Sequence, residues 1–145
     1  MSFPIQIGHS FYMTSDAMFH PDLSIYTKQH DLLRELAMKS DCVIVGRCAD
    51  YVLKELNPIR IFAYADMPSK IKRCMERRPE GENLNETQMK KSIEKIDRSR
   101  AKYYSFFSGQ KWGARENYDL LINTSGADIN ALSSAFCRYI DTSAE

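Results

Sequence analysis

Arginines are the side chains of this sequence whose type and position best suit chemistry. Arg47 follows Gly46 directly after the apolar run Cys42-Val43-Ile44-Val45. If that run is a strand of a parallel sheet, Arg47 projects from its carboxyl end, where such sheets bind ligands. A guanidinium fits phosphate in a bidentate way, and a glycine before it lets the backbone come close to a ligand. The structural alternative is an ion pair with Asp50 or Glu55 at the sheet edge. Arg73 and Arg77 are one turn apart beside the loop Pro79-Glu80-Gly81-Glu82-Asn83. Such a pair can close over phosphates, or form a solvated basic face with Glu76 and Glu80. Asp97 and Arg100 stand at i and i+3 between Ile93 and Tyr104, along the edge of an apolar stripe. Charges there are costly unless paired or turned to a polar cleft, so they read as a binding pair or as an internal ion pair.

Other groups carry weaker signals. His9, His20 and His30 lie too far apart for a zinc motif, and Cys42, Cys48, Cys74 and Cys137 form no C-x-x-C pair. There is no G-x-S-x-G string. Trp112 reads as a loop anchor or as a cover over a ligand.

The elements that must position the arginines alternate between helix and strand. Residues 1–20, with Pro4, Gly8 and four aromatics, read as an irregular arm, and residues 21–145 as one domain. Asp22 can cap a helix to about Lys39, with Tyr26, His30, Leu33 and Ala37 on one face. Residues 42–45 have the pattern of a strand buried on both faces. A short helix follows over residues 50–56, and a second strand over 59–65. Asp66 and Pro68 open a helix that turns Ile71, Cys74 and Met75 inward. Asn85 and Gln88 form a capping-box pattern at the start of a long helix to about Tyr104. Its inward stripe is Met89, Ile93, Ile96 and Tyr103. Residues 120–122 read as a third buried strand, and Asp128 caps a last helix with Ile129, Leu132, Phe136 and Tyr139 on one face. This order predicts an α/β domain with a mainly parallel sheet.

Composition narrows the function. The chain has 145 residues, with 20 Lys and Arg against 19 Asp and Glu, a net charge of +1. So neutral a protein is unsuited to binding a nucleic acid polymer. No apolar run reaches the roughly 18 residues of a membrane span, and no leader opens the chain. The cysteines read as reduced thiols, which suits a cytoplasmic protein. Charge is uneven, however: residues 70–102 carry 11 basic and 6 acidic groups, while the flanking segments each balance to −2. A basic middle in a neutral chain suits a small anionic ligand, although exposed helical faces are also rich in Lys and Arg.

Four strings now form a recognisable set: residues 42–51 (CVIVGRCADY), 59–77 (IRIFAYADMPSKIKRCMER), 97–104 (DRSRAKYY) and 111–123 (KWGARENYDLLIN). They closely resemble the cytidylate-kinase-like family of P-loop nucleoside monophosphate kinases over about residues 22–140. The resemblance implies a nucleoside-monophosphate-kinase fold that transfers a phosphoryl group from ATP, with Mg²⁺, to a CMP-like nucleoside monophosphate. It implies that Arg47, Asp50, Asp97 and Arg100 bind the acceptor, and that Arg73 and Arg77 lie in a lid and meet the transferring phosphates. Cys48 stands where cytidylate kinases have an Asp after the Arg, which leaves the acceptor base open. The family also begins with a strand and a G-x-x-x-x-G-K-[ST] loop that holds the ATP phosphates. No Gly-Lys-Ser or Gly-Lys-Thr occurs in this sequence.

The expectation is therefore a partial fold without its first strand and P-loop, inactive as a kinase by itself. Three readings follow: a kinase whose amino-terminal part lies outside this chain, a nucleotide- or phosphometabolite-binding relative without catalysis, and an interaction module on the same scaffold. In the family's strand order, 2-3-1-4-5, the absent strand lies between residues 42–45 and 59–65. The favoured remedy is direct pairing of residues 43–45 with 61–63. The other remedies are a homodimer that completes the sheet, an absent amino-terminal segment, and, least suited because of its Pro and brevity, the arm of residues 1–20.

Overall fold

The computed structural model describes residues 23–78 and 83–143. The arm of residues 1–20, the Asp22 cap and most of the 79–83 loop lie outside the described residues. Helix α1 (Leu23–Lys39) ends before a stretch at 41–45, followed by a short helix α2 (Ala49–Val52) and a 3-10 turn (Lys54–Leu56). Strand β1 (Ile61–Tyr64) leads into helix α3 (Met67–Glu76), and the long helix α4 (Glu86–Ser108) follows. A 3-10 turn (Arg115–Asn117), strand β2 (Leu120–Asn123) and helix α5 (Ile129–Ser143) complete the described chain. The class is α/β, as expected. β1 and β2 pair in parallel with Ile61 opposite Leu120 and Tyr64 opposite Asn123, a two-stranded sheet flanked by helices.

The local signals act as their chemistry requires. Asp66 caps α3 by accepting the Ser69 amide at 2.8 Å, with Pro68 in the first turn. At α4, Asn85 accepts the Gln88 amide and the Gln88 side chain accepts the Asn85 amide, both at 2.9 Å. Asp128 accepts the amides of Asn130 and Ala131. Helix α4 runs past the expected stop at Tyr104 and ends at Gly109 in a left-handed cap. Its buried face is Met89, Ile93, Tyr104 and Ser108, whereas Ile96 is 40% exposed. Residues 93 and 104 are eleven apart, three whole turns, so the face drifts away from Ile96 as the helix lengthens.

The expected strand at 42–45 is neither helix nor strand, and it joins no sheet among the described residues. Among the described residues no backbone hydrogen bond involves residues 41–45, and Val43 and Val45 are 94% and 89% exposed. Direct pairing of 43–45 with 61–63 does not occur. Ile44 is held by the core cluster of Cys48, Ala49, Val52, Leu53 and Tyr104. Phe62 of β1 is held by Trp112 edge-on at 5.2 Å and by Tyr118 at 5.0 Å. Trp112 also touches the cluster, so the two segments meet through side chains rather than through a backbone ladder. The expected helix at 50–56 is split, with a left-handed Asn57 (φ 49°) turning the chain towards β1.

Helix α1 docks on the end of α4 through aromatic rings. Tyr26 stacks on Phe107 at 3.7 Å and 9°, and Tyr103 leans on the same ring at 4.7 Å. The Lys111-Trp112-Gly113 string has a packing role as well. A Cβ at Gly113 (φ 74°) would lie 2.8 Å from the Phe62 ring, so only glycine admits both that ring and that backbone.

Two predictions follow from this packing. Gly113→Ala adds overpacking against a ring wedged between Trp112 and Tyr118 to left-handed strain, a loss of about 2–4 kcal/mol in urea unfolding. Gly126→Ala, at a positive φ with open space around it, loses only about 1–2 kcal/mol; equal losses would contradict the wedge. The second concerns Cys48, 4% exposed, whose thiol is pushed from 9.0 up to about 12 by desolvation and then by the Asp50 carboxylate. A raised folded pKa favours the neutral form, so its stabilisation is whole below the unfolded value and is lost as pH rises from about 9 to about 12. Unfolding midpoints should stay level to about pH 8.5 and fall above it, less steeply in Cys48→Ala. In native protein a thiol reagent should modify the exposed Cys42 and Cys137 and spare Cys48.

Candidate functional site

Arg47 sits in an unusual piece of backbone. Gly46, Arg47 and Cys48 are consecutive left-handed residues, with φ of 76°, 58° and 54°. The Ala49 amide donates to the Gly46 carbonyl at 3.1 Å and closes the turn. For Arg47 and Cys48 this conformation costs roughly 1–2 kcal/mol each, and it persists only where the surroundings over-determine it. Two ties do so here. The Cys48 side chain is buried in the core cluster, and Asp50 accepts the Tyr104 hydroxyl at 2.7 Å. The Gln110 side-chain amide lies 3.0 Å from the same phenol oxygen. Burial, and then the hydrogen bond to Asp50, push the Tyr104 phenol well above the usual tyrosine range. Asp50, expected to bind substrate, thus spends one oxygen on Tyr104.

Between these ties Arg47 is exposed, and no hydrogen bond or ion pair holds its side chain among the described residues. It lies near Tyr103 of α4. Burial raises the Tyr103 phenol, and the Arg47 guanidinium is close enough to oppose that shift. Arg100 is three residues before Tyr103, on the same side of α4.

Asp97 and Arg100 are joined there by a residue the sequence did not single out. Lys70 of α3 donates to one Asp97 oxygen at 2.6 Å and Arg100 to the other at 3.4 Å. Asp97 is 23% exposed and Arg100 64%. One carboxylate between two cations leaves positive charge over, and Arg100 offers it to solvent. Nothing in the sequence marks Lys70 out among the basic residues of 70–102.

The two expected lid arginines part company. Arg73 donates to the Thr124 carbonyl at 2.7 Å and to its hydroxyl oxygen at 3.1 Å. Thr124 in turn donates through its amide and hydroxyl to the Tyr64 carbonyl, at 2.7 and 2.9 Å. Arg73 therefore ties α3 to the carboxyl ends of both strands, reinforced by the Asp66 amide donating to the Ser125 hydroxyl at 2.8 Å. Arg77, the exposed residue that ends α3, has no side-chain partner among the described residues. Thr124 and Ser125 could have been found from the sequence, since they directly follow a strand at the end where parallel sheets bind ligands.

Beyond the carboxyl ends of the strands the chain thus gathers Lys70, Asp97 and Arg100 in one cluster and fixes Arg73 on Thr124. It presents Arg47 on a rigid turn beside α4. This is a surface for an anion carried on a polar body: cations for the charge, and a paired carboxylate and guanidinium for hydrogen bonds. Among the described residues no three His, Cys, Asp or Glu side chains are grouped to hold a metal ion.

No curated protein matches the chain. A crystal structure of an uncharacterized protein from Eubacterium ventriosum superposes with a TM-score of 0.74 at 34% identity, covering 86% of this chain and 69% of that one. The model of the cytidylate kinase-like family matches residues 6–126. On that match, the chain belongs to the cytidylate kinase-like family.

Proposed function

We propose that this chain binds a CMP-like nucleoside monophosphate beyond the carboxyl ends of its strands, as the acceptor side of phosphoryl transfer from ATP. The observation that carries the reading is Asp97 of α4, held between Lys70 and Arg100. In this reading Arg47 takes the acceptor phosphate, and Arg100 with Asp97 presents a donor and an acceptor to the nucleoside. Arg77, without a partner among the described residues, is the lid residue free to reach a transferring phosphate.

The donor side has other needs. A nucleoside triphosphate requires a backbone cradle and a lysine for its phosphates, and the sequence has neither a Gly-Lys-Ser nor a Gly-Lys-Thr. We propose that transfer from ATP, with Mg²⁺, belongs to an assembly in which a further strand completes the sheet. The exposed Val43 and Val45, and a backbone at residues 41–45 with no hydrogen bond among the described residues, favour this over a finished module. A second copy of the chain or a segment preceding it would supply the strand.

Titration calorimetry with CMP and UMP tests the acceptor site. Charge-assisted hydrogen bonds are worth about 1.5–3 kcal/mol each, so Arg47→Ala and Arg100→Ala should each weaken binding about tenfold or more. Wild-type affinity in both variants would remove the assignment.

A further inference from the structure

The binding reading leaves Asp50 and Tyr104 without a role of their own. Asp50 stands in the first turn of α2, three residues after Arg47, and Tyr104 is 4% exposed on α4. Their 2.7 Å hydrogen bond joins elements 54 residues apart in sequence. It ties to α4 the helical turn that directly follows the left-handed Gly46-Arg47-Cys48 segment, which no glycine beyond Gly46 relieves. The turn's other anchor, the Cys48 side chain, fixes depth but not rotation, because packing among apolar groups is non-directional. A hydrogen bond is directional, so the Asp50 tie sets the angle at which Arg47 leaves the core.

We propose that Tyr104 and Asp50 are positioning residues: their hydrogen bond locks the left-handed turn and so aims Arg47 at the anion site. This rests on the acceptor-site reading, but the lock itself is present without ligand. Asp50 then acts as a hydrogen-bond acceptor inside the protein, not as a contact to the nucleotide. Helix α4, which carries Asp97 and Arg100 on the same element as Tyr104, thereby sets the relation between the two halves of the site.

Hydrogen exchange on the ligand-free chain tests the lock. Tyr104→Phe keeps the ring and removes only the hydroxyl. It should speed exchange of the Ala49 and Val52 amides, which bond to the Gly46 and Cys48 carbonyls, about tenfold or more, while the Met89 amide at the far end of α4 is unchanged. Asp50→Ala should do the same, and Asp50→Asn, which retains an acceptor, should restore slow exchange. Calorimetry with CMP tests the aim. Tyr104→Phe should weaken binding about fivefold in the Arg47 protein and not at all in Arg47→Ala, the coupling expected if it acts through Arg47.

Unchanged exchange at Ala49 and Val52 in both Tyr104→Phe and Asp50→Ala would overturn the lock. Equal loss of affinity from Asp50→Asn and Asp50→Ala, with Tyr104→Phe silent, would overturn the positioning role and make Asp50 a nucleotide contact. If the wild-type chain binds no nucleoside monophosphate, the acceptor-site reading and the aiming of Arg47 fall together, whereas the exchange measurement still decides the lock.

Discussion

The parallel pairing of Ile61–Tyr64 with Leu120–Asn123 is the constraint from which the rest of the structure takes its position. A two-stranded sheet is marginal in water unless its ends and faces are secured. At the amino end, Arg60 grips Asp119 through two side-chain bonds of 3.1 and 2.7 Å, and its amide donates to the same carboxylate at 2.8 Å. This grip holds the Asp119 carboxyl below its usual range. At the carboxyl end Thr124 closes on the Tyr64 carbonyl, and Arg73 closes on Thr124. One face is filled by Phe62 between Trp112 and Tyr118. With both ends tied, α3 departs from a fixed point, and Lys70 arrives at Asp97 because Asp66 and Arg73 hold the helix on either side of it.

Helix α4 is the second organising element. Its capping box fixes one end and Gly109 the other. In between, Asp97 meets α3, Tyr103 meets α1, and Tyr104 meets α2. Pieces that touch the sheet little are thus held to it through a single rod. Residues 41–45 have no ladder among the described residues, and their anchor there is Ile44 packed against the helical cluster that holds Cys48.

What could be read from the sequence was local. Asp66, the Asn85–Gln88 box and Asp128 each act within four residues, so their chemistry is complete in a short string. The strands expected at 59–65 and 120–122 were legible as apolar runs, and both find a partner. The run at 42–45 is as apolar, yet strand is a property of a pair, and a sequence pattern cannot state that no partner stands beside it among the described residues. Asp97 and Arg100 were legible as charges on an apolar edge. The bond of Arg73 to Thr124 spans 51 residues, and that of Tyr104 to Asp50 spans 54. No periodicity reports contacts so distant, and a basic helical face reads the same whether its arginine meets phosphate or a backbone carbonyl.

The central claim is that Arg47 and the Lys70–Asp97–Arg100 cluster serve one anion site beyond the carboxyl ends of the strands. Amide chemical-shift mapping of the chain on addition of CMP tests it most directly. The account predicts shifts concentrated in residues 46–50 and 97–100, with Thr124 and Ser125 at their margin. Shifts confined to the opposite end, around Lys54, Arg60 and Asp119, or to the apolar cleft between β2 and α5, would contradict it.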